Sequence, residues 1–167
     1  MIPLNKVISL KTSDNVIFCI EYKNIRSCKT IHNQIVDLGD TVGVIELPNV
    51  TSGVFEKVID FGTNTPHIEE EEEEEHADAS SHIRPLRKKT VLSPFETEFV
   101  QRTSGNISLL LAANYLENSR LLRVLSFHMA SLVKNKDATQ IREMFGLAPA
   151  FTPEEEAQLR EEIKQMK

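Results

Sequence analysis

The side chains best suited to chemistry in this sequence are few, and they do not assemble into a reaction. Cys28 and His32 stand four residues apart, a spacing that would let a helix present a thiol and a base on one face. Such a pair also needs a fixed mutual geometry and a third group to orient the base, and the neighbouring residues supply neither. Cys28 therefore reads as a small apolar or helix-entry residue. His128 lies in an apolar helical run and reads as a packed or partner-facing side chain. His67, His76 and His82 lie among acids, but a run without fixed shape offers no geometry for a metal. The chain also lacks a G-x-S-x-G elbow, an H-E-x-x-H pair and a Gly-rich phosphate loop. No catalytic, cofactor or metal residue is assigned, and the protein is expected not to be an enzyme.

The elements that would position any site begin with short β-branched runs. Val7-Ile8-Ser9-Leu10 and Val16-Ile17-Phe18-Cys19-Ile20 flank Ser13-Asp14-Asn15, whose short polar side chains suit a turn, so a β-hairpin is expected. Thr30 reads as the cap of a helix with Ile31, Ile35 and Leu38 on one side, stopped by Gly39. Val44-Ile45-Glu46-Leu47 reads as a third strand closed by Pro48. From Thr51, the spacing of Val54, Phe55, Val58 and Ile59 is helical and ends near Gly62. Later, Leu109, Leu110, Leu111 and Tyr115 form an apolar cluster within 106–116, and a second helix spans 121–133. Asp137 with Gln140 fits a capping box, Ile141, Met144 and Phe145 give that helix its apolar side, and Gly146 ends it. Thr152-Pro153-Glu154-Glu155 is a further helix start, with an acceptor, a proline that needs no amide, and acids facing the positive dipole end.

Charge divides the chain more clearly than composition does. Of the 167 residues, 40% are apolar and none is tryptophan; the net charge is −6. Residues 69–78 hold eight acids and no Lys or Arg, whereas 1–68 and 90–167 are each within one charge of neutral. The acidic run cannot bury apolar surface and reads as a solvated linker. No basic face for nucleic acid is visible. No run approaches the roughly 18 apolar residues of a membrane span, and the first residues lack the apolar core of a secretory signal. Two cysteines without a metal-ligand pattern suit a cytoplasmic and nuclear setting.

What the chain does have is apolar helical surface. Leu122, Ser126, Met129 and Val133 make one stripe, and Leu121, Val124, Leu125 and Leu132 make another side of the same helix. A helix apolar on two sides either lies at the centre of a core or shares one side with a partner. Phe145, Leu147 and Phe151, bunched around Gly146 and Pro149, add large groups of the kind that fill the centre of an interface. On these terms the chain is an α/β protein with a helical end suited to binding another polypeptide.

Several segments carry a resemblance. Leu111-Ala112-Ala113-Asn114-Tyr115-Leu116, Leu121-Leu122, Gln140-Ile141-Arg142-Glu143-Met144-Phe145 and Phe151-Thr152-Pro153-Glu154-Glu155-Glu156-Ala157-Gln158-Leu159-Arg160 resemble the Skp-type adaptors of SCF (Skp, cullin, F-box) ubiquitin ligases. Ser13-Asp14, Thr30-Ile31, Asp37-Leu38-Gly39 and Leu47-Pro48-Asn49-Val50 follow in the same order upstream, with an acidic linker in the same place. The resemblance implies a BTB/POZ-like part over 4–66, an acidic disordered linker over 67–92, the remaining BTB-type helices and the start of the extension over 93–133, and F-box-binding helices over 134–167. It implies a non-catalytic adaptor for protein degradation that binds a cullin through Asn114 and Tyr115. F-box proteins would bind through Leu122, Ser126, Met129, Val133, Phe145, Leu147 and Phe151, which favours the partner-facing reading of the first stripe. No cofactor is implied, and a weak homodimer is expected when no F-box partner is present. An elongin-C-like adaptor and an oligomerising BTB scaffold without ligase function are the alternatives.

The chain departs from the pattern at four places. The segment before Leu111 is about one residue short, and Phe95 stands where Trp is common. Arg120 replaces a usual Gly and Arg123 an acid, which would add positive charge beside the stripe. The resemblance stops at Ile163-Lys164-Gln165-Met166-Lys167, before the Trp-containing tail that adds F-box contacts in the family.

Overall fold

A computed structural model describes residues 2–39, 43–65 and 92–147, together with Thr152, Glu155, Gln158, Glu161 and Glu162. Apart from Leu92, the expected acidic linker lies outside these residues. They fall into two units, 1–130 and 131–167.

In the first unit, β1 (Val7–Thr12) pairs antiparallel with β2 (Ile17–Glu21), from Val7 opposite Glu21 to Lys11 opposite Ile17. Asn15 takes the left-handed backbone expected of the turn, at φ 63°. Asp14 also ties the hairpin to the start of a distant helix, because its carboxylate accepts from the Thr12 hydroxyl at 2.6 Å and from the Ser52 amide at 2.9 Å. β3 (Val44–Leu47) lies parallel to β1 on its other side, giving the order β2-β1-β3. A parallel neighbour requires a crossover, and the 3₁₀ turn Tyr22–Asn24 with α1 (Lys29–Leu38) lies in that connection. Side chains alternate across the strands. Ile8, Leu10, Ile45 and Leu47 are buried in the core, whereas Val7 and Val44 are exposed.

α1 ends at Gly39 as expected but departs from expectation at its start and in the exposure of its last residue. It begins at Lys29 with Cys28 in the cap position, and Thr30 spends its hydroxyl elsewhere. Ile31 and Ile35 are buried, but Leu38, in the final turn before Gly39, is half exposed. α2 (Ser52–Asn64) buries Phe55, Val58 and Phe61 and ends near Gly62 as expected, although the glycine lies inside the last turn and does not cap it. Close packing explains that glycine. A Cβ at position 62 would lie 2.0 Å from the Asn24 carbonyl oxygen, so only Gly lets α2 meet the 3₁₀ turn.

α3 (Pro94–Arg102) starts with a capping box that was not among the expected ones: the Ser93 hydroxyl accepts from the Glu96 amide, and Glu96 accepts from the Ser93 amide at 2.8 Å. Phe99 packs on Phe61 with ring centres 5.1 Å apart, and Phe95 lies 5.9 Å from Phe99. α4 (Ile107–Tyr115) is capped by Asn106, and α5 (Ser119–Val133) begins at the buried Asn118, whose Oδ1 accepts from the Leu121 amide at 3.1 Å. Leu109, Leu116, Leu121, Val124 and Leu125 complete the core. Each such side chain is worth about 1.5–3 kcal/mol of gross transfer energy when fully buried.

The second unit contains α6 (Ala138–Phe145). Asp137 and Gln140 form the expected reciprocal box, with the Gln140 amide 2.8 Å from Asp137 Oδ1. Gly146 ends the helix in the left-handed region at φ 62°, while the Leu147 amide donates to the Arg142 carbonyl and the Gly146 amide to that of Glu143. This is a Schellman closure. At the expected helix start the Thr152 hydroxyl accepts from the Glu155 amide, and the Thr152 amide donating to Glu155 Oε2 at 2.8 Å makes it a reciprocal box, which was not expected.

Candidate protein-binding surfaces

Cys28 and His32 are not a catalytic pair. The Cys28 thiol is fully buried, and loss of water pushes its pKa up to about 12 despite hydrogen bonds from Asn118 and Ser27. A thiolate is therefore not available at neutral pH. The His32 ring shares a hydrogen bond through Nδ1 with the Tyr22 hydroxyl. His128 Nε2 meets the Ser104 hydroxyl at 3.1 Å. Among the described residues no group of three His, Cys, Asp or Glu could hold a metal, and no helix is long and apolar enough to cross a membrane. His67, His76 and His82 lie outside the described residues.

The helix surfaces hold more. On α4, Leu109, Ala112, Ala113 and Leu116 turn inward, which leaves Leu111, Asn114 and Tyr115 on the outer side at i, i+3 and i+4. Leu111 is 62% exposed, so it does not belong to the apolar cluster expected around Leu109. Asn114 is exposed, and Tyr115 is half-buried with its ring against the core rim. Helical position decides this: a residue two away from Leu109 points about 200° from it.

α5 divides as its two-sided pattern allows. Leu121, Val124 and Leu125 are in the core, whereas on the other stripe Leu122, Met129 and Val133 are half-buried and Ser126 is exposed. Leu132 is also half-buried rather than core. Phe127, which neither expected stripe includes, is 46% exposed. A large ring between Ser126 and His128 is a usable signal, because it falls outside both apolar sides. In the second unit α6 buries none of its side chains; Phe145 is half-buried and Leu147 is 55% exposed. Phe151 lies outside the described residues.

The electrostatics beside α5 differ from expectation. Arg120 Nε donates to Glu96 Oε1 at 2.8 Å, and Glu96 is only 1% exposed. Arg120 thus answers a buried carboxylate and does not add a net charge beside the stripe. Burial would raise the Glu96 pKa, but the Arg120 guanidinium and the Ser93 amide outweigh it and hold the carboxyl below its ordinary value. Arg123 is exposed on α5.

Comparison with known proteins matches these elements. Residues 6–65 match the Skp1 family tetramerisation domain, and residues 119–166 match the Skp1 family dimerisation domain. The chain is 32% identical over 162 residues to the SCF ubiquitin ligase complex protein SKP1a of Dictyostelium discoideum, covering 93% of each chain. It is 33% identical over 156 residues to the E3 ubiquitin ligase complex SCF subunit sconC of Arthroderma benhamiae, covering 93% of this chain and 92% of that one. It is 35% identical over 162 residues to a Skp1-related protein of Caenorhabditis elegans, covering 93% of this chain and 88% of its relative. A BTB/POZ-like sheet with helices, followed by a helical C-terminal part, and near full-length likeness to SCF subunits together place this chain in the Skp1 family.

Proposed function

We propose that this protein is a non-catalytic adaptor of an SCF E3 ubiquitin ligase, holding an F-box substrate receptor and a cullin at a fixed separation for ubiquitin-dependent degradation. The observation that carries the reading is apolar surface left bare by a completed core: Leu111 on α4 and Phe127 on α5 are both substantially exposed. Exposed side chains of this size on ordered helices suit a partner that covers them. In this reading Asn114 and Tyr115 face the cullin. Leu122, Ser126, Met129, Val133, Phe145, Leu147 and Phe151 face the F-box, with Phe127 an added contact. The work is geometric: gross apolar burial of roughly 25 cal/mol per Å² supplies affinity before association costs, and the folded body sets the distance. Two free thiols, one exposed at Cys19, agree with action in the cytoplasm and nucleus.

Two variants test the division of labour. Phe145→Asp should weaken F-box capture by more than about 2 kcal/mol while leaving cullin binding unchanged. Tyr115→Lys should do the reverse. Both are measured by titration with purified partners, on variants whose circular dichroism matches the parent. Unchanged F-box capture by Phe145→Asp would remove that residue from the interface, and loss of both partners in either variant would indicate unfolding. A pull-down from the protein's own cell extract should recover a cullin and F-box proteins together.

A further inference from the structure

The hydrogen bonds at the end of α4 lead from the two candidate cullin-facing residues back to the start of α1. Carbonyls in the last turn of a helix have no partner within it, and α4 finds donors outside. The Thr30 hydroxyl donates to the Tyr115 carbonyl at 2.8 Å, and the Thr30 amide donates to the Leu116 carbonyl at 3.3 Å. That amide is one of those a helix leaves unpaired in its first turn, so the positive end of α1 meets the negative end of α4. Asn118 closes the same corner. Its amide donates to the Ala113 carbonyl at 3.0 Å and its Nδ2 to the Ser27 hydroxyl at 3.1 Å. The turn that carries Asn114 and Tyr115 is thus held by a residue 85 positions earlier in the chain.

We propose that Thr30 is a positioning residue for cullin capture. It fixes the backbone at Tyr115 and thereby the direction in which Asn114 and Tyr115 project. This rests on the reading that the end of α4 faces the cullin. Thr30 is more informative than Asn118, because Thr30 is half-buried whereas Asn118 lies in the core.

Thr30→Val keeps the side-chain shape and the amide but removes the hydroxyl donor. Roughly three- to ten-fold weaker binding of purified cullin is expected, as for the loss of one hydrogen bond. Exchange of the Leu116 and Glu117 amides with deuterium should quicken, F-box capture should not change, and Thr30→Ser should restore cullin affinity. The proposal is overturned if Thr30→Val binds cullin as the parent does, if F-box capture falls equally, or if Thr30→Ser fails to restore binding. Tyr115→Lys, run alongside, separates the two ideas. Should it also leave cullin binding intact, the assignment of that helix end to cullin is what fails.

Discussion

Glu96 is a carboxylate kept ionised at a place where burial alone favours its neutral form. Its charge is held by Arg120 at 2.8 Å and by the Ser93 amide. Because its folded pKa lies below its ordinary 4.5, ionised Glu96 favours the fold above that pH, and the contribution fades as pH falls below it. Arg120→Ala should destabilise the protein by about 2–3 kcal/mol at pH 7, since it strands a buried charge. Urea melts at pH 7 and pH 3.5 should show a smaller pH dependence in that variant than in the parent. The two cysteines should separate as sharply. Cys19 is exposed and should alkylate readily at pH 7.5, whereas Cys28, with its pKa pushed up to about 12, should react only as the chain unfolds. Mass spectrometry of peptides during a denaturant series would read this directly; early alkylation of Cys28 would refute its burial.

Element by element, local signals and packing part company in instructive ways. The box at Asp137–Gln140 and the cap at Thr152 were legible because a cap is a contact within three residues. The hairpin was legible because Asn15 tolerates the backbone that the turn imposes. Thr30 misled for the opposite reason. It is a good cap by type, but its hydroxyl found a carbonyl 85 residues away, and no local rule reveals that partner. Gly62 was legible as lying near the helix end, but its reason, the close approach of α2 to the Asn24 carbonyl, is a distant contact that no local rule reveals. Gly62→Ala should therefore cost about 1–3 kcal/mol or more, against the gain that alanine gives in an open helix. Thermal melting decides between the two signs.

At the scale of the molecule, the strand pattern, the helices and the two-sided α5 could be read from periodicity, whereas which stripe faced outward could not. Periodicity states that Val124 and Ser126 lie on different sides but not which side the core covers. Leu111 shows the same limit, since a run of three leucines gives no direction until Leu109 is seated in the core. The adaptor reading also predicts a behaviour of the isolated protein. With no receptor present, the outer stripe of α5 should draw two copies together weakly, and sizing chromatography across a concentration series should show it. Met129→Glu should keep the protein monomeric without lowering its melting temperature by more than a few degrees, since Met129 is only half-buried.

α5 carries Leu121, Val124 and Leu125 inward and Ser126, Phe127 and Met129 toward the outside, on one uninterrupted backbone. Its two sides cannot drift independently over generations. A change of volume at Leu125 that the interior absorbs by a small rotation of the rod would also re-aim Phe127. Mutations acceptable for folding alone would then be filtered a second time by the partners this helix meets.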